Sequence, residues 1–131
     1  MSMYSHVMIG TDDPEQARAF YDATFAALGI PGRHTPRGAF YGSPETGFFG
    51  VAIPRDEQAA THANGGTIGL KAGTPAQVDA WHQAALANGG TCEGPPGPRE
   101  YGAPMYGAYV RDPVGNKLCA FALLAEDAAA S

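Results

Sequence analysis

Besides its carboxylates, this 131-residue chain offers four histidines, two cysteines and eight basic residues for polar chemistry. His6 stands in the first apolar run, and an imidazole that titrates near neutrality can act as hydrogen-bond partner or general base. Cys119 stands in the last apolar run. A buried free thiol behaves as a small hydrophobe. It becomes a nucleophile only where an imidazole such as His6 comes within hydrogen-bond reach in polar surroundings. Arg99, Glu100 and Tyr101, with Tyr106 just beyond, lie on a Gly- and Pro-rich stretch, residues 91–106. Long loops in small domains often carry binding groups. Arg99 offers a fork for a carboxylate, and Tyr101 and Tyr106 each offer an aromatic face with a hydroxyl. The competing reading of Arg99 is an ion pair with Glu100 or Glu93. His82 and Trp81 recur with Val78, Ala85 and Leu86 at helical spacing and read as core residues.

Short elements must position these groups, because 18 Gly and 11 Pro punctuate the chain. Residues 5–11 alternate as a strand, with Val7 and Ile9 on one face and His6 and Met8 on the other. Asp13-Pro14-Glu15-Gln16 then supplies a cap, a first-position proline and a capping-box glutamine. Ala17, Phe20, Tyr21, Thr24 and Leu28 follow at helical spacing, up to Gly29. Short strands are expected near residues 39–41 and 48–53, and residues 55–66 read as a polar linker holding Asp56, Glu57 and His62. The pattern then returns. Residues 67–72 form a strand, Thr74-Pro75-Ala76-Gln77 a cap, and Asn88-Gly89-Gly90 a helix stop. Residues 91–106 are expected to be a loop with a short strand at 91–93. The closing piece, residues 106–123, reads as strand, Asp112-Pro113-Val114-Gly115-Asn116 turn, and strand.

The two halves superimpose at one offset. Pro14 and Pro75 lie 61 positions apart, as do Gln16 and Gln77, Phe20 and Trp81, Tyr21 and His82, Val7 and Ile68, and Ile9 and Leu70. Caps, strand faces and helix stripes agreeing together point to a duplicated βαβββ unit.

Composition bounds the function. The length suits one domain with its own core, and 44% hydrophobic with 16% charged residues describes a globular chain. A net charge of −5 and a pI near 5.2 argue against nucleic-acid partners and anionic membrane surfaces. Two cysteines make no disulfide framework, and neither a leader pattern nor a membrane-length apolar run is present, so a cytoplasmic protein is expected.

Four stretches carry a resemblance: SHVMIG, DDPEQARAFYDATFAALG, TPAQVDAWHQAALANGG and PREYGAPMYGAYVRDPVGNKLCAF. In this order they resemble the vicinal oxygen chelate superfamily of glyoxalase I, the bleomycin-resistance proteins and the extradiol dioxygenases. The last two are similar to a glyoxalase-like subgroup. The resemblance implies an α+β fold in which two βαβββ modules, residues 5–54 and 67–124, form curved mixed sheets around a cavity. It also implies a homodimer. Metal-using members draw ligands from the first strand and a late strand of each module. Those places fall on His6, on Thr67, on Cys119 where metal users carry Glu, and on Phe49 or Gly50. Only His6 matches a ligand, so no cofactor is expected and a divalent ion lacks its set. A structural role in which the module merely dimerises stays open, and so do two functions. One is binding of a small aromatic or amphipathic molecule by Thr67, Phe49, Arg99, Tyr101 and Tyr106. The other is a glyoxalase-type lyase or isomerase, lactoylglutathione-lyase-like, with His6 in proton transfer and Cys119 as a second candidate catalytic group.

Overall fold

The structure is a computed structural model that describes residues 2–100 and 102–124. Its elements run β1 (His6–Gly10), α1 (Pro14–Ala27), β2 (Gly32–Thr35), β3 (Gly38–Ser43), β4 (Gly47–Ala52), β5 (Thr67–Lys71), α2 (Pro75–Ala87), β6 (Thr91–Glu100), β7 (Pro104–Arg111) and β8 (Lys117–Leu123). Each half is a βαβββ module. The first makes a sheet ordered β1-β4-β3-β2, called sheet A, and the second makes sheet B, ordered β5-β8-β7-β6. In both, the first strand pairs parallel with the last and the other pairings are antiparallel.

The caps form as their chemistry requires. Asp13 accepts from Gln16 N at 3.1 Å and Thr74 from Gln77 N at 3.2 Å, with Pro14 and Pro75 opening the helices. Gln77 reaches back to accept from Gly73 N at 2.6 Å, one residue ahead of the usual box geometry. Gly29 and Gly89 take positive φ just past the helix ends, the left-handed conformation that costs a side-chain-free residue least.

α1 lies on β2, β3 and β4, α2 lies on β6, β7 and β8, and the two helices pack on each other. The core fills the space between helices and sheets, with Phe20, Tyr21, Tyr41, Val78, Trp81, Val110 and Leu118 almost wholly buried. Burying each of the larger apolar side chains is worth ~2–3 kcal/mol. Among the described residues, a buried hydrogen bond ties the halves together: Tyr21 of α1 donates to Asp112 Oδ2 at 2.5 Å. The Asp112 carboxylate also accepts from the N–H groups of Val114, Gly115 and Asn116 and from the Asn116 side chain, at 2.8–3.0 Å. The Asp-Pro-Val-Gly-Asn turn is therefore wrapped around a buried carboxylate.

Two expectations need correction. Residues 91–100 are a strand, although they contain Pro95, Pro96 and Pro98. β6 is the outer strand of sheet B, and its register slips between Cys92 and Gly94 and again between Gly94 and Gly97. An edge strand with bulges tolerates residues that cannot donate to a ladder. β2 was absent from the sequence reading. It too is an outer strand, and its Gly-Arg-His-Thr run has no apolar alternation to announce it.

Candidate functional site

Strand register assigns every side chain to a face, because residues paired across a sheet point the same way. On sheet A, Val7, Ile9, Tyr41, Phe49 and Val51 turn toward α1, while His6, Met8, Phe40, Phe48 and Gly50 lie on the open face. On sheet B, Ile68, Leu70, Ala108, Val110, Leu118 and Ala120 turn toward α2. Thr67, Lys71, Tyr109, Arg111, Lys117, Cys119 and Phe121 share the open face.

That open face has an unusual charge for an acidic chain. Lys71, Arg99, Arg111 and Lys117, four of the eight basic residues, stand on it. Thr67, Glu93, Gly94, Arg99, Tyr109 and Lys117 line a hollow of about 440 Å³ there. Lys117 Nζ sits 5.2 Å from the centre of the Tyr109 ring, a cation–π distance. Arg111 pairs with Glu93 at 3.5 Å and donates to Gly115 O at 2.9 Å. Arg99 donates to Gly97 O at 3.0 Å and Pro95 O at 2.9 Å, pinning the proline-rich bulge.

The structure brings some expected residues together and separates others. Thr67, Arg99 and Cys119 belong to the open side of sheet B. His6 is exposed on sheet A, where Nδ1 hydrogen-bonds Ser5 Oγ at 2.8 Å. His6 and Cys119 thus stand on different sheets. Cys119 is buried, and burial pushes its thiol up, with Lys117 and a Tyr109 hydrogen bond pulling the other way. Tyr106 points to the helix side and donates to Asp79 Oδ1 at 2.7 Å, because even-numbered β7 residues face α2. Phe49 is likewise a core residue, with ring centroids 5.1 Å from Tyr21 and 5.2 Å from Phe25. Register pairs Met8 with Gly50 and Gly69 with Cys119, so Gly50 is the counterpart of Cys119. A one-residue slip in a strand reverses the face, and that slip is the whole difference between Phe49 and Gly50. Tyr101 lies outside the described residues.

Lys117 and Tyr109 were missed as site residues. The signal was present for Lys117, which alternates with Cys119 and Phe121 along β8. Tyr109 is revealed only by its pairing with Cys119.

A divalent ion does not fit the four counterpart positions. They carry one imidazole, one hydroxyl, one buried thiol and one hydrogen. At Gly50 a Cβ would lie 2.4 Å from Met8 Sδ and 2.6 Å from Phe40, so neighbouring side chains fill the space where a ligand would stand. Among the described residues, no three His, Cys, Asp or Glu gather in a group able to hold a metal. A second concavity of about 1000 Å³, lined by Val7, Leu28, Ile30, Phe48, Ile68 and Leu70 among others, runs between sheet A and β5. It is apolar. No described helix is long and apolar enough to cross a membrane.

Comparison with known proteins agrees with this architecture. The sequence profile described as Glyoxalase/Bleomycin resistance protein/Dioxygenase superfamily matches residues 4–120. A glyoxalase/bleomycin resistance protein from Albidiferax ferrireducens T118 is 51% identical, with a TM-score of 0.87 over 92% of this chain and 99% of that one. A glyoxalase/bleomycin resistance protein/dioxygenase family enzyme from Burkholderia phytofirmans PsJN is 20% identical, with a TM-score of 0.67 over 92% and 98%. A lactoylglutathione lyase from Agrobacterium tumefaciens is 20% identical, with a TM-score of 0.62 over 93% and 94%. These last two likenesses concern the fold. No curated protein matches. The profile match and the 51% identical structure, together with the paired βαβββ modules, show that the chain belongs to the glyoxalase/bleomycin resistance/dioxygenase superfamily.

Proposed function

We propose that the protein binds a small aromatic molecule bearing an anionic group, without a metal, on the open face of sheet B. The observation that carries this reading is that Lys117 and Arg99 line one hollow with Tyr109, Thr67 and Glu93, while Lys71 and Arg111 stand further along the same face. Small-molecule sites are usually lined mainly by apolar and aromatic groups, whereas this hollow is polar and charged apart from the Tyr109 ring, which suits a ligand that carries charge. Lys117 supplies the charge, Tyr109 the ring face and Thr67 a hydroxyl; Arg99, its guanidinium held by Gly97 O and Pro95 O, adds positive charge to the lining. In this reading the working form is a homodimer. β1 and β5 are both outer strands of their sheets among the described residues, beside open faces, and a second copy would cover such edges. Isothermal titration with a panel of aromatic carboxylates and their neutral amides tests the reading. Carboxylates are expected to bind, amides to bind more weakly, and Lys117→Met to lower carboxylate affinity about tenfold. Equal binding of acid and amide, or no binding of either, would overturn it.

A second reading is favoured by one observation at His6. Its Nδ1 is engaged by Ser5 Oγ, which orients the ring and leaves Nε2 to act on a substrate. In that reading the protein is a glyoxalase-type lyase or isomerase in which His6 moves a proton next to a carbonyl. The lactoylglutathione lyase likeness supports only the shared architecture. The enzyme reading requires turnover of a 2-oxoaldehyde thiol adduct that disappears in His6→Ala and persists in chelator.

A further inference from the structure

The other face of β6 holds a second reactive pairing. Cys92 is exposed on this edge strand, opposite the fully buried Val110, and its Sγ lies 3.2 Å from Nε2 of His82 on α2. We propose that Cys92 and His82 form a thiol-exchange site at which small disulfides cap the protein reversibly.

With the imidazole proton on Nδ1, Nε2 accepts from the Cys92 thiol across the 3.2 Å contact and takes its proton as Sγ attacks a disulfide sulfur. One S–S bond forms and one breaks. The departing thiolate recovers the proton from the imidazolium, and a mixed disulfide at Cys92 plus one free small thiol remain. Burial lowers the pKa of His82, with Asp79 opposing, which keeps the ring a neutral acceptor near pH 7. Glu93 and Arg111 pair with each other on the opposite face of the sheet.

Duplication supplies an internal control on whether the fold needs this pair. The counterpart of His82 is Tyr21, 61 residues earlier. Register makes Gly32 the counterpart of Cys92, since Gly32 pairs with Tyr41 as Cys92 pairs with Val110. The first module builds the same architecture with neither group. The architecture therefore does not require the pairing. The other cysteine, Cys119, is buried on the opposite face of sheet B.

The test uses 4,4′-dithiodipyridine, an uncharged disulfide that a net charge of −5 does not repel. Modified sites are mapped by mass spectrometry in the whole protein at pH 7. Cys92 is expected to react about tenfold faster in the native protein than in the urea-unfolded chain, and His82→Gln to remove that advantage. Glutamine can still hydrogen-bond the thiol but cannot take its proton. A native Cys92 no faster than the unfolded one would overturn the proposal, as would a folded His82→Gln protein reacting like the parent. Should His82→Gln fail to fold, the native-to-unfolded rate ratio of the parent protein decides alone.

Discussion

Asp112 gathers five hydrogen bonds on one buried carboxylate, three from backbone N–H groups and two from the side chains of Asn116 and Tyr21. Removing it strands four of these donors, since Gly115 N–H also donates to the Asp112 backbone O at 2.9 Å, so Asp112→Ala should cost on the order of 3–5 kcal/mol in urea unfolding. Tyr21→Phe removes one donor to a charged acceptor and should cost about 1.5–3 kcal/mol. The turn was legible as turn chemistry from Asp-Pro-Val-Gly-Asn alone. Its role as the joint between modules was not, because Tyr21 lies 91 residues away and no local signal pairs them. His82 gives a pH prediction at the same scale. Burial lowers its pKa below the ordinary 6.5, so the unfolded chain binds more protons between the two values and stability rises with pH there. As pH falls through 6.5 the protein loses this contribution, and the loss stops growing below the folded-state value. Between pH 8 and 5 the parent's Tm should fall further than that of His82→Gln. Equal slopes would contradict a desolvated imidazole.

The strands show what periodicity can and cannot convey. Faces in β1, β5, β7 and β8 followed from alternation, and the equal offset of caps and stripes disclosed the duplication. β4 resisted because Gly-Phe-Phe-Gly places one aromatic ring on each face, so only pairing with β1 tells Phe49 from Gly50. β6 resisted because three prolines argue against a strand until its edge position and bulges are known. Glycine substitutions test the resulting register. A Cβ at Gly38 would lie 1.8 Å from the backbone O of Val51, whereas one at Gly50 meets only the side chains of Met8 and Phe40. Gly38→Ala should therefore destabilise by about 2–4 kcal/mol and Gly50→Ala by about 1–2 kcal/mol, because Met8 can swing away and the Phe40 ring can shift, whereas the Val51 backbone cannot. Chemical denaturation of both variants checks the contrast, and similar costs would mean that the register of β3 on β4 is different.

At the scale of the whole molecule, each module buries one face of its sheet under a helix and leaves the other open. The superfamily and the α+β architecture were legible in the sequence because four motifs recur in one order. The positive face of sheet B was not, since its cations come from β5, β6, β7 and β8 and meet only through register. The outer strands β1 and β5 beside two open faces lead to the expectation that sedimentation equilibrium at micromolar concentration returns about twice the 13.6 kDa chain mass. A strictly monomeric protein would remove the homodimer from the account. The most direct test of the central claim is calorimetric titration of an aromatic carboxylate into protein stripped with chelator, then into the same protein resupplied with divalent metal. The account predicts the same affinity in both and about a tenfold loss in Lys117→Met; binding that appears only with metal, and is indifferent to Lys117, would contradict it.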